Sequence, residues 1–220
     1  MKTIFTIGFV LFSFVLTFGQ NEQSPLVEKE ISYKNWELKG VKTGDEFELR
    51  DLAKGKKLVM VVYFAPWCSN WKHDAPLVQK LYDKYKANGL EVVGVGEYDP
   101  VETIKTNLND LKITFPVVYE SESRADKQKT LHYEYRKSTG DTRNWGSPWY
   151  IFLEPAKIEK IGDVLARKAN VVNGEIVETE VEKMIREKLG LPATTTATLS
   201  KGGEIEPCPD DNKKTSPMKP

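Results

Sequence analysis

Three runs of apolar residues in the middle of the chain predict buried strands. The first, residues 58–64, reads Leu-Val-Met-Val-Val-Tyr-Phe and has no charged position, and the other two cover residues 90–96 and 115–119. Apolar runs of this length, rich in β-branched and aromatic residues and bounded by Gly or Pro, are typical of strands inside a sheet. We therefore expect a sheet with the 58–64 strand near its centre.

The segments after these strands show helical spacing. A helix that starts near Cys68 and stops at Asn88-Gly89 carries apolar residues at Leu77, Val78, Leu81, Tyr82 and Tyr85. The same periodicity predicts helices at 101–111, 124–136 and 178–189. Residues 31–49 predict short strands and a turn, and residues 157–166 and 169–177 predict an edge hairpin. Strands that alternate with helices and end in a hairpin and a helix indicate an α/β fold.

The two ends of the chain differ in composition from the middle. Lys2 precedes an apolar segment at 4–18 and a Thr-Phe-Gly triplet, which predicts a secretory signal peptide at 1–19 rather than a membrane span. Residues 20–30 are polar and predict a linker, residues 31–190 the folded domain, and residues 191–220 a disordered tail. The mature protein is thus expected to be periplasmic or secreted, with membrane contact only through an uncleaved signal segment.

Composition excludes several classes of partner. The 32 basic and 32 acidic residues give zero formal net charge, so the charge balance does not indicate nucleic acid or an anionic membrane as a partner. Two cysteines, Cys68 and Cys208, and two histidines among 220 residues are too few for a disulfide scaffold or a zinc centre. We predict no metal and no cofactor. In an oxidising compartment a lone thiol such as Cys68 is unusual, so it is a candidate for chemistry.

Cys68 is placed where a buried strand passes into the N-terminus of an amphipathic helix. Unpaired backbone N–H groups and the positive end of the helix dipole favour an anion at that position. The sequence therefore predicts a site at which a thiolate is stabilised.

The residues around Cys68 resemble the active-site segment of the TlpA/ResA-type thiol-disulfide oxidoreductases of the AhpC/TSA redoxin superfamily. That family typically reads F-W-A-x-W-C-x-x-C-[KR]-x-E-x-P, and residues 64–76 here read F-A-P-W-C-S-N-W-K-H-D-A-P. The matching positions are Trp67, Cys68, Lys72 and Pro76. Asp74 stands where the family has Glu. Trp71 occupies the position of the second, resolving cysteine, so the chain has no C-x-x-C motif.

A second segment supports the same resemblance. Gly146-Ser147-Pro148 runs directly into an apolar stretch and is similar to the G-x-P loop of thioredoxin-fold proteins, whose proline is cis and faces the active-site cysteine. The resemblance implies a thioredoxin fold over residues 31–190, with a central mixed sheet flanked by helices and a cis-Pro loop beside the active-site helix.

The resemblance also implies a chemistry in which Cys68 is the nucleophile. Its thiolate would attack a disulfide and form a mixed disulfide. Because Trp71 cannot resolve this adduct, either a partner thiol or Cys208 would do so, and both routes remain open. Asp74 is the candidate proton acceptor beside the cysteine. A peroxidatic role is disfavoured, since Val61 and Ala65 replace the proline and the hydroxyl residue of the peroxiredoxin motif.

Aromatic residues suggest how a substrate would be held. We expect Trp67, Trp71, Ser147, Pro148 and Trp149 to form a groove for an extended peptide, with protein thiols, protein disulfides or a redox partner protein as ligands. This predicts a monothiol oxidoreductase or isomerase in redox homeostasis or antioxidant defence. The alternative is a redox-inactive binding or chaperone module that uses the same tryptophan-lined groove.

Overall fold

The computed structural model describes residues 23–192. Its strands are β1 (Gln23–Ser24), β2 (Val27–Lys34), β3 (Glu37–Gly40), β4 (Glu46–Glu48), β5 (Leu58–Phe64), β6 (Leu90–Gly96), β7 (Val117–Tyr119), β8 (Trp149–Leu153), β9 (Val164–Val172) and β10 (Glu175–Ile176). Its helices are α1 (Leu49–Leu52), α2 (Ser69–Tyr85), α3 (Val101–Asp110), α4 (Leu131–Ser138) and α5 (Glu178–Leu189), with 3-10 turns at Lys86–Asn88 and Arg124–Lys129.

The main sheet has eight strands in the order β2-β9-β8-β5-β6-β7-β3-β4, and β1 pairs with β10 in a separate two-stranded sheet. Strands β5, β6 and β7 are parallel to one another, whereas β8 pairs antiparallel with β5. Strand β5 is buried along its whole length, as its apolar run predicts. The expected α/β thioredoxin fold with a central mixed sheet is therefore confirmed.

Helices cover both faces of this sheet. Alternate residues of β5 point to opposite sides, so that Met60 and Phe64 pack with α2, α3 and α5, while Val61 and Tyr63 pack with α4 and the N-terminal strands. The β5 residues in both sets of core contacts are inaccessible to solvent. This arrangement leaves the carboxyl end of β5 as the point where α2 begins.

The predicted edge hairpin at 157–166 and 169–177 is wrong. A single long strand, β9, occupies the middle of that region and lies between β8 and β2. The edge strand of the sheet is instead β2. Both β1 and the first part of β2 lie within residues 20–30, the segment expected to be a linker. A strand pairs wherever a neighbouring backbone is available, and sequence spacing alone does not reveal that neighbour.

The single helix predicted at 124–136 is also wrong. Thr130 is extended (φ −84°, ψ 150°), and its hydroxyl accepts a hydrogen bond from the backbone N–H of Tyr133, so it ends the 3-10 turn and caps α4. The helices predicted at 101–111 and 178–189 agree with α3 and α5 to within one residue, whereas α2 ends at Tyr85 and a 3-10 turn continues to the predicted stop at Asn88-Gly89.

Some predictions fall outside the described residues: the signal peptide at 1–19, Cys208 and the tail from residue 193 onwards. Within residues 23–192, every helix is too short or too polar to cross a lipid bilayer.

Candidate active site

Cys68 lies at the junction of β5 and α2. The chain turns directly after β5, where the Cys68 N–H donates to the Ala65 carbonyl at 3.0 Å, and the Cys68 carbonyl then accepts the Lys72 N–H at 3.1 Å. Cys68 is the N-cap residue of α2, with extended dihedrals (φ −71°, ψ 126°), and its side chain is half-buried. The thiol therefore stands at the helix N-terminus, where unpaired N–H groups favour an anion.

The loop that carries Pro148 lies against this cysteine. The Ser147–Pro148 peptide bond is cis, and Cys68 Sγ donates a hydrogen bond to the Ser147 carbonyl oxygen at 3.1 Å. The Ser147 hydroxyl oxygen accepts the Ala65 N–H at 2.9 Å, which ties the loop to the turn before Cys68. The structure thus brings together two segments that lie 79 residues apart.

Arg143 holds the same loop from its other side. Its guanidinium donates to the Pro148 carbonyl at 2.8 Å and to the Ser147 carbonyl at 3.4 Å, and it forms an ion pair with buried Asp141 at 2.8 Å. The oxygen that accepts the Cys68 thiol therefore also faces a cation. Sequence reasoning missed Arg143 and Asp141 because they lie in a loop outside both motifs.

A buried histidine supports the glycine that precedes this loop. His132 Nε2 lies 3.2 Å from the Gly146 carbonyl, which can only accept, so Nε2 carries the proton and Nδ1 accepts the Tyr98 hydroxyl at 2.8 Å. Burial, together with the charge of Arg136, lowers the pKa of His132 to about 3, against the opposing effect of the Gly146 hydrogen bond. His132 is therefore a neutral, permanently oriented donor to the loop.

Asp74 is buried on the opposite side of α2 from solvent, at 1 % exposure. Burial raises the pKa of its carboxyl to about 6, although Oδ2 accepts hydrogen bonds from the Tyr150 hydroxyl at 2.7 Å and the Ile176 N–H at 2.9 Å, which favour the charged form. The Cys68 thiol bonds to the Ser147 carbonyl and not to this carboxyl. The predicted role of Asp74 as proton acceptor for Cys68 stays a prediction.

Trp71 and Trp149 do not line a groove, contrary to the expectation from sequence. Both are fully buried. The Trp71 indole stacks on Phe64 with ring centroids 4.3 Å apart and donates to the side-chain oxygen of Asn107 at 3.0 Å. Trp149 packs on the α4 side of the sheet and donates to Asn173 at 2.8 Å. A first-turn position of α2 and a strand position of β8 both face the core, which explains the burial.

The aromatic surface next to Cys68 is formed by other residues. Trp67 is half-buried and meets half-buried Trp145 edge to face at 5.2 Å. The Arg124 guanidinium lies 4.4 Å from the centre of the Trp67 ring, and Lys127 Nζ lies 4.6 Å from that of Trp145. Of the predicted groove tryptophans, Trp67 alone is not fully buried, and the guanidinium of Arg124 lies over its ring.

Comparison with known proteins agrees with this geometry. The family model described as "AhpC/TSA family" matches residues 28–143, slightly more than half of the chain. The thiol-disulfide oxidoreductase ResA of Bacillus thuringiensis (strain Al Hakam) is 31% identical over 77 residues, which cover 35% of this chain and 43% of that protein. Protein disulfide-isomerase of Saccharomyces cerevisiae is 35% identical over 95 residues, which cover 41% of this chain and 17% of that protein. The aligned parts thus span less than half the length of these relatives.

Solved structures with little sequence identity share the fold. A thiol:disulfide interchange protein of the thioredoxin family from Chlorobium tepidum TLS superposes with a TM-score of 0.53 at 18% identity, covering 74% of this chain and 98% of that one. A secreted thiol-disulfide isomerase from Corynebacterium glutamicum gives a TM-score of 0.54 at 15% identity, covering 82% of this chain and 98% of that one. With its thioredoxin fold, its cysteine at the start of α2 and the match over residues 28–143, the chain belongs to the AhpC/TSA family.

Proposed function

We propose that this protein is an exported thiol-disulfide oxidoreductase or isomerase that uses Cys68 as its single nucleophile. The observation that carries the proposal is the contact at 3.1 Å between Cys68 Sγ and the Ser147 carbonyl, at the N-terminus of α2 and beside cis-Pro148. A half-buried thiol in that position is open to a substrate sulfur on one side and oriented by the protein on the other.

The first step would be attack of the Cys68 thiolate on one sulfur of a substrate disulfide. A bond forms between Cys68 Sγ and that sulfur, the substrate S–S bond breaks, and the second substrate sulfur leaves as a thiolate. Before the attack the thiol donates a hydrogen bond to the Ser147 carbonyl, which faces the guanidinium of Arg143, and its proton passes to solvent when the thiolate forms. Arg143 would thereby keep the loop in register with the reacting sulfur.

The second step needs a thiol from the substrate, from a partner or from Cys208, because Trp71 fills the position of a resolving cysteine. If another thiolate of the substrate attacks the substrate sulfur of the mixed disulfide, a new substrate S–S bond forms and the Cys68 thiolate leaves, which is isomerisation without net electron transfer. If an external dithiol supplies two electrons, the substrate disulfide is reduced and Cys68 is regenerated. Cys208 is a further candidate for resolving the adduct, and this suggestion rests on the sequence alone.

The substrate is expected to lie across Trp67 and Trp145. Their half-buried rings offer apolar surface beside Cys68, and Arg124 and Lys127 add positive charge to it. Ser147 and Pro148 would contribute through their backbone, because both are buried. The alternative of a redox-inactive binding module depended on exposed Trp71 and Trp149, and the burial of both removes that support.

Export is supported by the basic and apolar start of the sequence and by the relatives. The C. glutamicum protein of similar fold is described as secreted, and thiol-disulfide exchange is common in oxidising compartments. We therefore place the chain outside the cytoplasm.

The test is to trap the mixed disulfide. The full chain, with and without Cys208→Ser, is incubated with oxidised glutathione and analysed by non-reducing mass spectrometry. We expect one glutathione adduct on Cys68 in the Cys208→Ser variant, together with catalysed reactivation of a scrambled disulfide protein. Cys68→Ser should abolish both.

Two results separate the routes of resolution. An intramolecular Cys68–Cys208 disulfide that replaces the adduct in the unmodified chain would assign resolution to Cys208. If Cys68 forms no adduct, or if Cys68→Ser retains full isomerase activity, the proposed chemistry is wrong.

A further inference from the structure

Three ionisable side chains meet on the side of α2 that faces β10. His73 and Asp74 are consecutive residues of α2, and Glu175 is the first residue of β10. His73 Nδ1 lies 3.2 Å from Glu175 Oε2 and 3.8 Å from Asp74 Oδ1, and one donor atom of each side chain lies within 4.8 Å of the other two. The function proposed for Cys68 does not use this cluster.

The charges of the cluster are poorly balanced by the protein. The side chains of Asp74 and Glu175 are 2% and 5% exposed, and Glu175 Oε2 is buried with no hydrogen-bond partner among residues 23–192, its close charged neighbour being His73 Nδ1 at 3.2 Å. Two neighbouring buried carboxylates are costly unless a cation neutralises them. His73, with a side chain that is 62% exposed, is the nearby group that can supply positive charge, and only when it is protonated.

Two hydrogen bonds hold the Asp74 carboxylate in place. Tyr150 and the Ile176 N–H both bind Asp74 Oδ2, so Oδ1 is the oxygen turned towards His73. Because Ile176 follows Glu175 directly, the same bond fixes β10 against α2. The position of the Asp74 carboxylate is therefore set by the fold, and the pairing of β10 brings Glu175 next to it before any ligand arrives.

We propose that His73, Asp74 and Glu175 bind a divalent transition-metal ion, with Zn²⁺ as the best match. Tetrahedral zinc with ligands at about 2.0–2.2 Å separates its donor atoms by roughly 3.3–3.6 Å, close to the observed 3.2 and 3.8 Å. One imidazole and two carboxylates suit Zn²⁺ better than Mg²⁺ or Ca²⁺, which prefer oxygen donors alone. The exposed side of His73 leaves a fourth position open to water.

This site would join α2 to β10 six residues beyond Cys68, or about 9 Å along the helix axis. The inference concerns metal binding alone and does not rest on the thiol chemistry of Cys68. The sequence-based expectation was that no metal binds. That expectation rested on the small number of histidines and cysteines, and the sequence does not show that Glu175 lies next to residues 73 and 74.

The test uses the untagged full chain with Cys68→Ser and Cys208→Ser, so that no thiol competes for the ion. Calorimetric titration with ZnCl₂ is expected to show one saturable site per chain. His73→Ala and Glu175→Gln should each weaken the affinity by at least about tenfold, since loss of even an outer-shell partner costs about 10- to 100-fold. Glu178→Gln is the matched control, because it removes a surface carboxylate that pairs with Lys80, and should leave the affinity unchanged.

The outcomes are distinguishable. His73→Ala changes an exposed side chain and is expected to fold, so it remains informative even if Glu175→Gln does not. Absence of saturable binding, or binding that both variants leave unchanged, would overturn the site. Because the background lacks Cys68, neither result bears on the proposed oxidoreductase activity.

Discussion

Protonation of His132 should destabilise the protein in acid. The side chain is fully buried, and its pKa is about 3 in the folded protein against an ordinary value of 6.5. Between these two values the unfolded chain binds a proton that the folded protein does not, so stability falls as the pH falls through this window. Below pH 6.5 the free energy of unfolding falls by about 1.4 kcal/mol for each pH unit. The loss is about 2 kcal/mol at pH 5 and reaches its full value of about 5 kcal/mol near pH 3.

His132→Gln isolates this contribution. The amide can still donate to the Gly146 carbonyl and accept the Tyr98 hydroxyl, but it does not titrate. Urea unfolding of both proteins at pH 7.5 and pH 5.0, with a chelator present, gives the difference in unfolding free energy at each pH. The unfolding free energy of the variant, measured relative to that of the unmodified protein, should be about 2 kcal/mol higher at pH 5.0 than at pH 7.5. Contributions from carboxylates such as Asp74 are common to both proteins and cancel.

Ile161→Ala is the control, because Ile161 is 85% exposed and carries no titratable group. Its difference from the unmodified protein should be the same at the two pH values. The reasoning is refuted if the His132→Gln difference is the same at both pH values, or if the NMR signal of the His132 ring titrates near pH 6.5.

Two further substitutions test the packing around the site. Trp71→Ala should destabilise the fold by about 3–5 kcal/mol in urea unfolding, because it empties a fully buried site and leaves Asn107 without its indole donor. A loss under about 1 kcal/mol would show that the indole is not packed as described. Gly146→Ala should cost about 1–3 kcal/mol or more, since a Cβ there would lie 2.4 Å from Arg136 Cδ at a φ of +62°, and should lower the proposed isomerase activity. Gly140→Ala is its control, with a φ of +89° but no atom of residues 23–192 within 4 Å of the added Cβ, and equal losses for the two would refute the steric argument.

The local pattern along the chain was sufficient for the elements that carry the site. The 58–64 run is buried on both faces and forms β5. Periodicity and the 88–89 stop located α2, and Cys68 is its N-cap residue. The terminal helix at Glu178–Leu189 matches its prediction to the residue. These features depend on residues close in sequence, where backbone preference and side-chain spacing act directly.

Predictions failed where a distant partner decided the result. β9 is one strand within the sheet because β2, more than 120 residues earlier, pairs with it. Trp71 and Trp149 were expected beside the sulfur, but the helix and strand that carry them turn both rings into the core. A residue type and its position in a motif do not determine which face it occupies.

The sequence by itself determined the α/β class, the junction that holds Cys68 and the absence of a second cysteine in its motif. Only the tertiary structure decided which groups surround that junction. Arg143 lies against the Ser147 carbonyl, and Glu175 lies beside His73 and Asp74 although about 100 residues separate them. Such contacts arise from the packing of strands and helices onto one sheet, and the energy of that packing is shared among many residues, so no single segment of the sequence contains it.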